Sequence, residues 1–487
     1  MVLPSRKKWW SCIKILGVAL ATILSFSACD NRSVLDQELA VLIVRHGLTG
    51  NPISDPERQV SDISSPKAEL GKLLFFSKHL SGSENVACAT CHHPFLGGDD
   101  DLPLSVGVDA ELEDLLGSKR VPSKGVVLVP RNAPTTFNSS LWKKSFFHDG
   151  RVERLNSFDE KIAKISTPDE EFGDVDPHAT DLLQAQAGFP VTSEHEMRSN
   201  YLERSSNDHL RLNLEKRMVS AVKASTLESV GSHSWEALFR NAYNEADSDI
   251  EKLVSFARIR ELLAEYQRSQ IFIDTPWKNY IEGDVSALTD SAKRGAILFY
   301  SSVEKGGAGC VSCHSGDFFT DESFHNLAMP QIGFGKELNG NDRGRYLRTG
   351  VLEDQYAFRT PSLINVSETA PYTHAGAYFT LEAVVRHHLS PSEKIHSFDF
   401  ENPAFLQQGI LLDTAQLWTE RALKKYQQSE KSVDLEVARL NDVDVADLVE
   451  FLNHLTDPCV KNESCLKSWV PDPDNNRFPD KSILLSH

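Results

Sequence analysis

The stretch Ala68-Glu-Leu-Gly-Lys-Leu-Leu-Phe-Phe76, followed by Cys88-Ala-Thr-Cys-His92, occurs twice in the chain. The later copy reads Ala292-Lys-Arg-Gly-Ala-Ile-Leu-Phe-Tyr300 and then Cys310-Val-Ser-Cys-His314. In both copies the first segment has apolar residues at helical spacing and ends on an aromatic pair, which predicts a short amphipathic helix. The same landmarks in the same order indicate two copies of one structural unit.

The two Cys-x-x-Cys-His motifs point to a covalently bound cofactor. Two thiols separated by two residues can attach to the two vinyl groups of one haem, and the histidine that follows is held where it can ligate the iron. A zinc site would need both motifs to meet, and a redox dithiol does not require the histidine. The sequence therefore predicts two covalently bound c-type haems. The predicted attachment and proximal residues are Cys88, Cys91 and His92 in the first copy and Cys310, Cys313 and His314 in the second.

The chain outside the motifs favours helices and long loops, because strict alternation of apolar and polar residues is scarce. A length of 487 residues exceeds one ordinary core, so two domains are expected. We predict an all-α fold with two haem-binding domains from an internal duplication, at residues 45–280 and 281–470. Two insertions enlarge the first domain: residues 161–181, interpreted as an acidic surface loop, and residues 198–249, interpreted as helices and loops around it.

Residues 1–29 are predicted to be an export signal. A basic start precedes a twelve-residue apolar run at residues 15–26, which is too short to span a bilayer comfortably. The segment ends Phe26-Ser-Ala-Cys29, which resembles the lipobox of bacterial lipoproteins. Lipidation of Cys29 is the expected consequence, with plain cleavage of the signal as the alternative because Phe26 is less usual at its position. Asp30 resembles the signal that retains such lipoproteins at the inner membrane. The predicted location is the periplasm.

Two cysteines lie near the end of the chain. In an oxidising compartment, the spacing of Cys459 and Cys465 predicts a disulfide that closes a small loop. Just before them, apolar residues at helical spacing within residues 442–455 predict a terminal amphipathic helix, with Asp442 and Asp444 placed to cap it.

The charge balance limits the class of partner. The formal net charge of −18 argues against a nucleic-acid partner, because the field of the protein would repel a phosphate backbone. An acidic surface of this kind can steer a basic protein partner toward the molecule.

The chain resembles the bacterial di-haem cytochrome c peroxidase family, which includes MauG-type enzymes. The resemblance runs from about Leu70 to Leu455 and rests on landmarks beyond the haem motifs. In the first half these are Leu70-Gly-Lys-Leu-Leu-Phe-Phe, Arg131-Asn-Ala-Pro-Thr, Asp149-Gly-Arg151 and Gly188-Phe-Pro-Val-Thr-Ser-Glu-His-Glu-Met197. In the second half they are Ala292-Lys-Arg-Gly, Phe324-His-Asn326, Asp342-Arg-Gly-Arg345 and Thr369-Ala-Pro-Tyr-Thr-His374-Ala-Gly.

The resemblance implies two cytochrome c-like helical domains with one calcium ion between them. The first haem is expected to react with hydrogen peroxide. The second is expected to receive electrons from a small soluble donor such as a cytochrome c or a cupredoxin. Members of the family are often homodimers.

Site residues follow by position within the resemblance. Pro190 and Glu196 are expected on the open face of the first haem, where a carboxyl group can move a proton between the two oxygens of peroxide. Asn132, with Thr369 and Pro371 through their carbonyl oxygens, matches the calcium positions. Oxygen ligands suit this hard cation.

Two departures from the family concern the first haem and the region between the haems. Many members close the resting first haem with a histidine, but the matching place in Leu104-Ser-Val-Gly-Val108 holds Val108, which cannot ligate iron. The first haem is therefore expected to be open at rest. The family's tryptophan before Asp-Gly-Arg is replaced by His148, which we expect to be packed or hydrogen-bonded.

A third departure concerns the far ligand of the second haem, which is Met in the peroxidases and Tyr in MauG. Counting fourteen residues from His374 reaches His388, with His387 beside it. Neighbouring residues on a helix point in different directions, so only one of the two should face the iron. We expect His388 to be the ligand, with Met329 as the alternative.

The sequence thus predicts a periplasmic di-haem peroxidase that reduces hydrogen peroxide with electrons from a small redox protein. One alternative is a MauG-like oxidase of a protein or organic substrate. The other is a non-catalytic electron carrier, which would need a second ligand on the first haem, such as His93 or His195.

Overall fold

The computed structural model describes residues 33–54, 58–156, 163–169, 175–228, 234–429, 440–472 and 478–484. The predicted export segment, including Cys29, lies outside the described residues. Within the described part of the chain, no helix is both long enough and apolar enough to cross a membrane.

The described chain is rich in helix, which confirms the main feature of the predicted fold. Short helices alternate with long irregular segments. The α-helices are α1 (Val34–His46), α2 (Pro66–Phe76), α3 (Leu182–Gln186), α4 (Asn207–Glu228), α5 (Trp235–Tyr243), α6 (Ile250–Leu253), α7 (Phe256–Arg268), α8 (Pro276–Ile281), α9 (Asp290–Tyr300), α10 (Tyr346–Thr349), α11 (Leu381–Leu389), α12 (Pro391–His396), α13 (Pro403–Gln407), α14 (Ala415–Gln427), α15 (Asp442–Asn453) and α16 (Glu463–Leu466).

Two small antiparallel sheets accompany the helices and were missing from the all-α prediction. The first has the strand order β1-β2-β3 and the second pairs β4 with β5. Strands of two or three residues are too short to show an alternating pattern in the sequence. The strands are β1 (Ser145–Phe146), β2 (Val152–Arg154), β3 (Ile165–Ser166), β4 (Phe324–His325) and β5 (Phe358–Arg359).

The two repeated segments form helices α2 and α9, and each packs closely against a second helix through one glycine. A Cβ atom at Gly71 would lie 2.0 Å from the carbonyl oxygen of Leu262 in α7. A Cβ atom at Gly295 would lie 1.9 Å from the carbonyl oxygen of Asp447 in α15. Neither site has room for a side chain, so the glycines permit the close approach of the helix pairs α2–α7 and α9–α15.

Each helix pair belongs to its own hydrophobic core. The core around α2 and α7 also contains Leu214 from α4 and Trp235 from α5, so the helices predicted within residues 198–249 supply core residues. The core around α9 and α15 takes in Leu39 from α1. Conversely, Ile483 near the chain end packs into the first core. Each end of the described chain therefore packs on the core formed mainly by the opposite half.

The insertion at residues 161–181 differs in part from the predicted surface loop. Its described residues include strand β3 and two buried aspartates, Asp169 and Asp176. Asp169 pairs with Arg211 at 2.6 Å, and Asp176 pairs with Arg260 at 2.9 Å. Buried charges are tolerated when they are paired, and here both cations come from the helices that follow.

The predictions for the end of the chain are confirmed with one change. Cys459 and Cys465 form a disulfide, and the terminal amphipathic helix is α15. Its N-cap is Asn441, and Asp444 completes a capping box with the Asn441 backbone. The capping residue is thus one position earlier than predicted.

A buried ion cluster joins the two halves of the chain. The Arg131 guanidinium lies 2.6 Å from a carboxylate oxygen of Asp149 and 2.6 Å from one of Asp342. All three residues are buried. Arg345 donates to the backbone oxygens of Asp149 and Gly150 at 3.2 and 2.9 Å. The Asp-Gly-Arg and Asp-Arg-Gly-Arg landmarks of the sequence therefore meet at this cluster.

Candidate functional site

The first Cys-x-x-Cys-His motif lines a cavity of about 140 Å³. Cys88, Cys91 and His92 line this cavity together with Pro190 and Glu196. Cys88–Thr90 forms a short 3₁₀ turn that brings both thiols to one region. The donor set fits a haem: two thiols for covalent attachment and one imidazole for the iron.

The orientation of His92 suits an axial ligand. Its Nδ1 donates to the carbonyl oxygen of Gly98 at 3.3 Å, which leaves the Nε2 lone pair for a metal. Burial lowers the pKa of His92, so the ring is neutral at pH 7, as iron ligation requires.

Glu196 is positioned by an unusual turn. It lies in the π-helical segment Glu194–Arg198, a conformation often found at functional sites. The next residue, Met197, is buried in the first core and anchors the turn. Pro190 starts the preceding 3₁₀ turn, Pro190–Thr192. Both predicted site residues consequently line the same cavity as His92.

The segment that carries Val108 packs tightly against the Glu196 turn. A Cβ atom at Gly107 would lie 2.0 Å from the carbonyl oxygen of His195. Val108 is buried and is not among the residues that line the first cavity, whereas Ser105 is. This segment reaches the cavity without offering a nitrogen ligand.

The two histidines that could close the first haem do not line the first cavity. His93 is buried, and its Nδ1 accepts the backbone N–H of Phe95 at 3.2 Å. His195 precedes Glu196 in the π-helical segment and is half-buried. The electron-carrier alternative therefore has no support from either side chain.

The second motif lines a larger cavity of about 280 Å³. Cys310, Cys313 and His314 share it with His388 and Met329. The Nδ1 of His314 donates to the carbonyl oxygen of Phe319 at 3.0 Å, so its Nε2 is left for the iron, as in His92. Burial, together with the nearby His388, lowers the pKa of His314 to about 4.

The adjacent histidines of α11 have different surroundings. His388 donates from Nδ1 to the carbonyl oxygen of Val384 at 2.7 Å, and only its Nε2 remains for a metal. Both nitrogens of His387 are engaged: Nδ1 accepts from the Tyr378 hydroxyl and Nε2 donates to the Leu327 carbonyl, each at 2.8 Å. Of the pair, only His388 lines the cavity.

The two cavities share lining residues, including Trp142, His148 and Arg359. His148 donates from Nε2 to the carbonyl oxygen of Asn132 at 3.1 Å, and burial lowers its pKa to about 4. This fits the packed, hydrogen-bonded state expected for it. The aromatic side chain common to both cavities is Trp142, whose ring centroid lies 3.4 Å from the Arg359 guanidinium. No feature of the sequence distinguished Trp142.

The predicted calcium residues Asn132, Thr369 and Pro371 all line the second cavity. The Asn132 amide donates from Nδ2 to the Leu102 carbonyl at 2.9 Å, so its Oδ1 faces another direction. In the described chain, the one close group of histidine, cysteine and carboxylate side chains is Cys313, Asp321 and His325. This group includes a haem-motif cysteine.

Sequence reasoning also missed Lys336, which lines the first cavity. It follows a Gly-Phe-Gly turn in the second half of the chain, far from the first motif. A lysine in a loop carries no sequence signal that separates a cavity residue from a solvated one.

A helix-rich fold with two cavities, each lined by a Cys-x-x-Cys-His motif, defines a c-type di-haem protein. The family model described as "Di-haem cytochrome c peroxidase" matches residues 65–286. Methylamine utilization protein MauG of Methylorubrum extorquens is 30% identical over 396 residues, which cover 81% of this chain and 88% of that protein. The chain belongs to the di-haem cytochrome c peroxidase family.

A second relative and a solved structure are consistent with this family. Cytochrome c551 peroxidase of Pseudomonas aeruginosa is 28% identical over 338 residues, covering 69% of this chain and 73% of that one. The fold is similar to the crystal structure of a MauG-like protein associated with microbial copper homeostasis, with a TM-score of 0.55 and 22% identity. That match covers 85% of this chain and 94% of the other. The protein is an oxidoreductase of the peroxidase type with two c-type haems.

Proposed function

We propose that this protein reduces hydrogen peroxide to water with electrons from a small redox protein, and that peroxide reacts in the cavity of His92. The observation that carries the proposal is the difference between the two cavities. In the first, His92 shares the space with a carboxylate, Glu196, while the His148 ring that also lines it is hydrogen-bonded to the Asn132 carbonyl. In the second, His314 and His388 both line the cavity, and each has its Nδ1 bonded to a backbone carbonyl.

The chain contributes proton handling and orientation at the first site. Haem supplies the iron that reacts with peroxide and passes electrons. A carboxylate oxygen of Glu196 accepts the proton of the near peroxide oxygen and delivers it to the departing oxygen. Pro190 presents an apolar surface and neither donates nor accepts a proton. Val108 leaves the position free of a nitrogen ligand, so we propose that no activation step is needed.

At the second site we propose that His314 and His388 would hold the haem iron through their Nε2 atoms. A centre with two strong ligands transfers electrons and does not bind peroxide. Support comes from the free Nε2 of both rings and from the engagement of both nitrogens of His387. Met329 lines the same cavity and is the competing ligand.

Replacing His388 by Met is expected to raise the midpoint potential of the second haem, on the order of 0.1 V, because thioether favours ferric iron less than imidazole does. A spectroelectrochemical titration measures this shift. His396→Met, at an exposed histidine, is the matched control and should leave both potentials unchanged. If Met329→Leu shifts the potential and His388→Met does not, Met329 is the ligand.

Further features of the proposal rest on the sequence. Asn132, Thr369 and Pro371 are proposed to bind one calcium ion, which metal analysis of protein purified without added calcium would detect. The corresponding glycine contacts of α2–α7 and α9–α15 support an origin of the two haem domains by duplication. Export and lipid attachment at Cys29, as well as a homodimer, stay predictions.

A second candidate is a MauG-like oxidase that acts on a protein or organic substrate. Trp142 favours it, because an aromatic side chain shared by both cavities offers a short connection between the two haem sites. The family contains both kinds of enzyme.

One experiment separates the candidates. The resting protein, carrying both haems, is examined by electron paramagnetic resonance and then mixed with peroxide and a reduced cytochrome c. A high-spin ferric signal with stoichiometric oxidation of the donor supports the peroxidase. A high-spin signal with peroxide consumption but no donor oxidation favours the oxidase. Two low-spin signals without turnover contradict both.

A further inference from the structure

Lys336 lies in the first cavity although it comes from the second half of the chain. It lines this cavity together with His92, Glu196 and Arg151. Among the described side chains, neither Lys336 nor Glu196 has an ion-pair partner within 4.0 Å. The cavity thus holds a cation and a carboxylate that are not committed to other charged groups.

The backbone places Lys336 firmly. Gly333 and Gly335 have φ values of 77° and 62°, a conformation that favours glycine. A Cβ atom at Gly335 would lie 2.3 Å from the carbonyl oxygen of Asn341, and one at Gly333 would lie 2.3 Å from Leu104 Cδ1. Leu104 begins the segment that packs on the Glu196 turn. The loop of Lys336 and the turn of Glu196 are therefore braced against the same segment.

Of the carboxylates near Lys336, Glu196 differs from Asp149 in having no arginine partner among the described residues. Burial, together with Arg151 and Arg131, lowers the pKa of Lys336 to about 8, although Glu196 and Asp149 act to raise it. Asp149 is already paired with Arg131 at 2.6 Å and with Arg151 at 3.2 Å. Glu196 is the carboxylate in this environment that no arginine neutralises.

We propose that Lys336 is a binding residue of the first site, whose ammonium makes the cavity of His92 a binding site for small anions. Lys336 supplies positive charge there and transfers neither protons nor electrons.

Azide is a small anion that binds ferric haem, so its affinity reports the effect of the Lys336 charge without requiring turnover. Its affinity for the first haem is measured by optical titration in the holoprotein between pH 6 and 10. Lys336→Met should weaken azide binding on the order of tenfold at pH 7, because one nearby positive charge is lost. Wild-type affinity should fall as pH rises through about 8. Lys336→Arg should bind azide tightly at pH 7, and its affinity should not decrease near pH 8, because guanidinium stays charged.

Lys119→Met is the matched control, since it removes the same charge from an exposed residue and should leave azide affinity unchanged. The proposal is overturned if Lys336→Met and Lys119→Met bind azide equally well. It is also overturned if Lys336→Met shifts only the midpoint potential and keeps the pH dependence of azide binding. That result would mean that Lys336 neutralises a carboxylate of the haem.

Turnover is a separate question from anion binding. If no variant consumes peroxide but azide binding depends on Lys336, the peroxidase proposal fails and the anion site stands.

Discussion

Replacing Glu196 by Gln is expected to lower kcat/KM for hydrogen peroxide by about 10²–10⁴-fold, the range that general acid–base catalysis contributes. Gln has nearly the same shape but cannot accept and return a proton. Glu196 lines the cavity of His92 and is half-buried, so the substitution should leave haem attachment and the resting spectrum unchanged. Stopped-flow measurement of the peroxide reaction, with haem content as the reference, provides the test.

The same turn offers the control for this prediction. Glu194 is exposed two residues earlier in the π-helical segment, and Glu194→Gln removes an identical carboxylate without changing the cavity. Its kcat/KM should remain within about twofold of wild type. Equal losses in both variants, or full activity in Glu196→Gln, would remove Glu196 from the proton-handling role.

The part of the site that the sequence predicted well depends on local motifs. Covalent attachment requires two thiols and a histidine within five consecutive residues, so the two haem sites were visible directly in the sequence. The helices of the repeats were equally local, because apolar spacing and an aromatic end fix which face is buried. His388 was reached only by counting along the resemblance.

The parts that the sequence did not predict depend on contacts between distant residues. Lys336 and Trp142 reach the cavities through the packing of loops that are separated from the haem motifs. Asp169 and Asp176 appeared to belong to a solvated loop, since their partners Arg211 and Arg260 lie on later helices. The residue pattern of one segment contains no information about which distant cation will neutralise its carboxylates.

Replacing Arg131 by Met is expected to lower the free energy of unfolding by about 3–5 kcal/mol, because it leaves buried carboxylates without their cation. Arg131 contacts both Asp149 and Asp342, and Asp149 retains Arg151. Among the described residues Asp342 retains no arginine partner, so most of the loss should come from its buried charge. Denaturant unfolding of the holoprotein followed by circular dichroism measures the change. Arg386→Met is the control, since its partners Glu382 and Asp442 are exposed and such pairs contribute about 0–1 kcal/mol.

The pH dependence of this loss identifies its cause. In the wild-type protein burial opposes ionisation of Asp342, but Arg131 holds the pKa of Asp342 below its usual value. Its ionised form then stabilises the fold above the unfolded pKa of about 3.9, and this contribution is lost as pH falls through the folded pKa. In Arg131→Met burial is opposed only by the smaller effects of His374 and the Gly344 amide, so the pKa of Asp342 should rise and protonation should relieve the buried charge as the medium is acidified. The difference between variant and wild type should therefore be larger at pH 7 than at pH 5. A difference that is independent of pH would mean that lost packing around the guanidinium causes the instability, and the ion cluster would then not be what holds the two halves together.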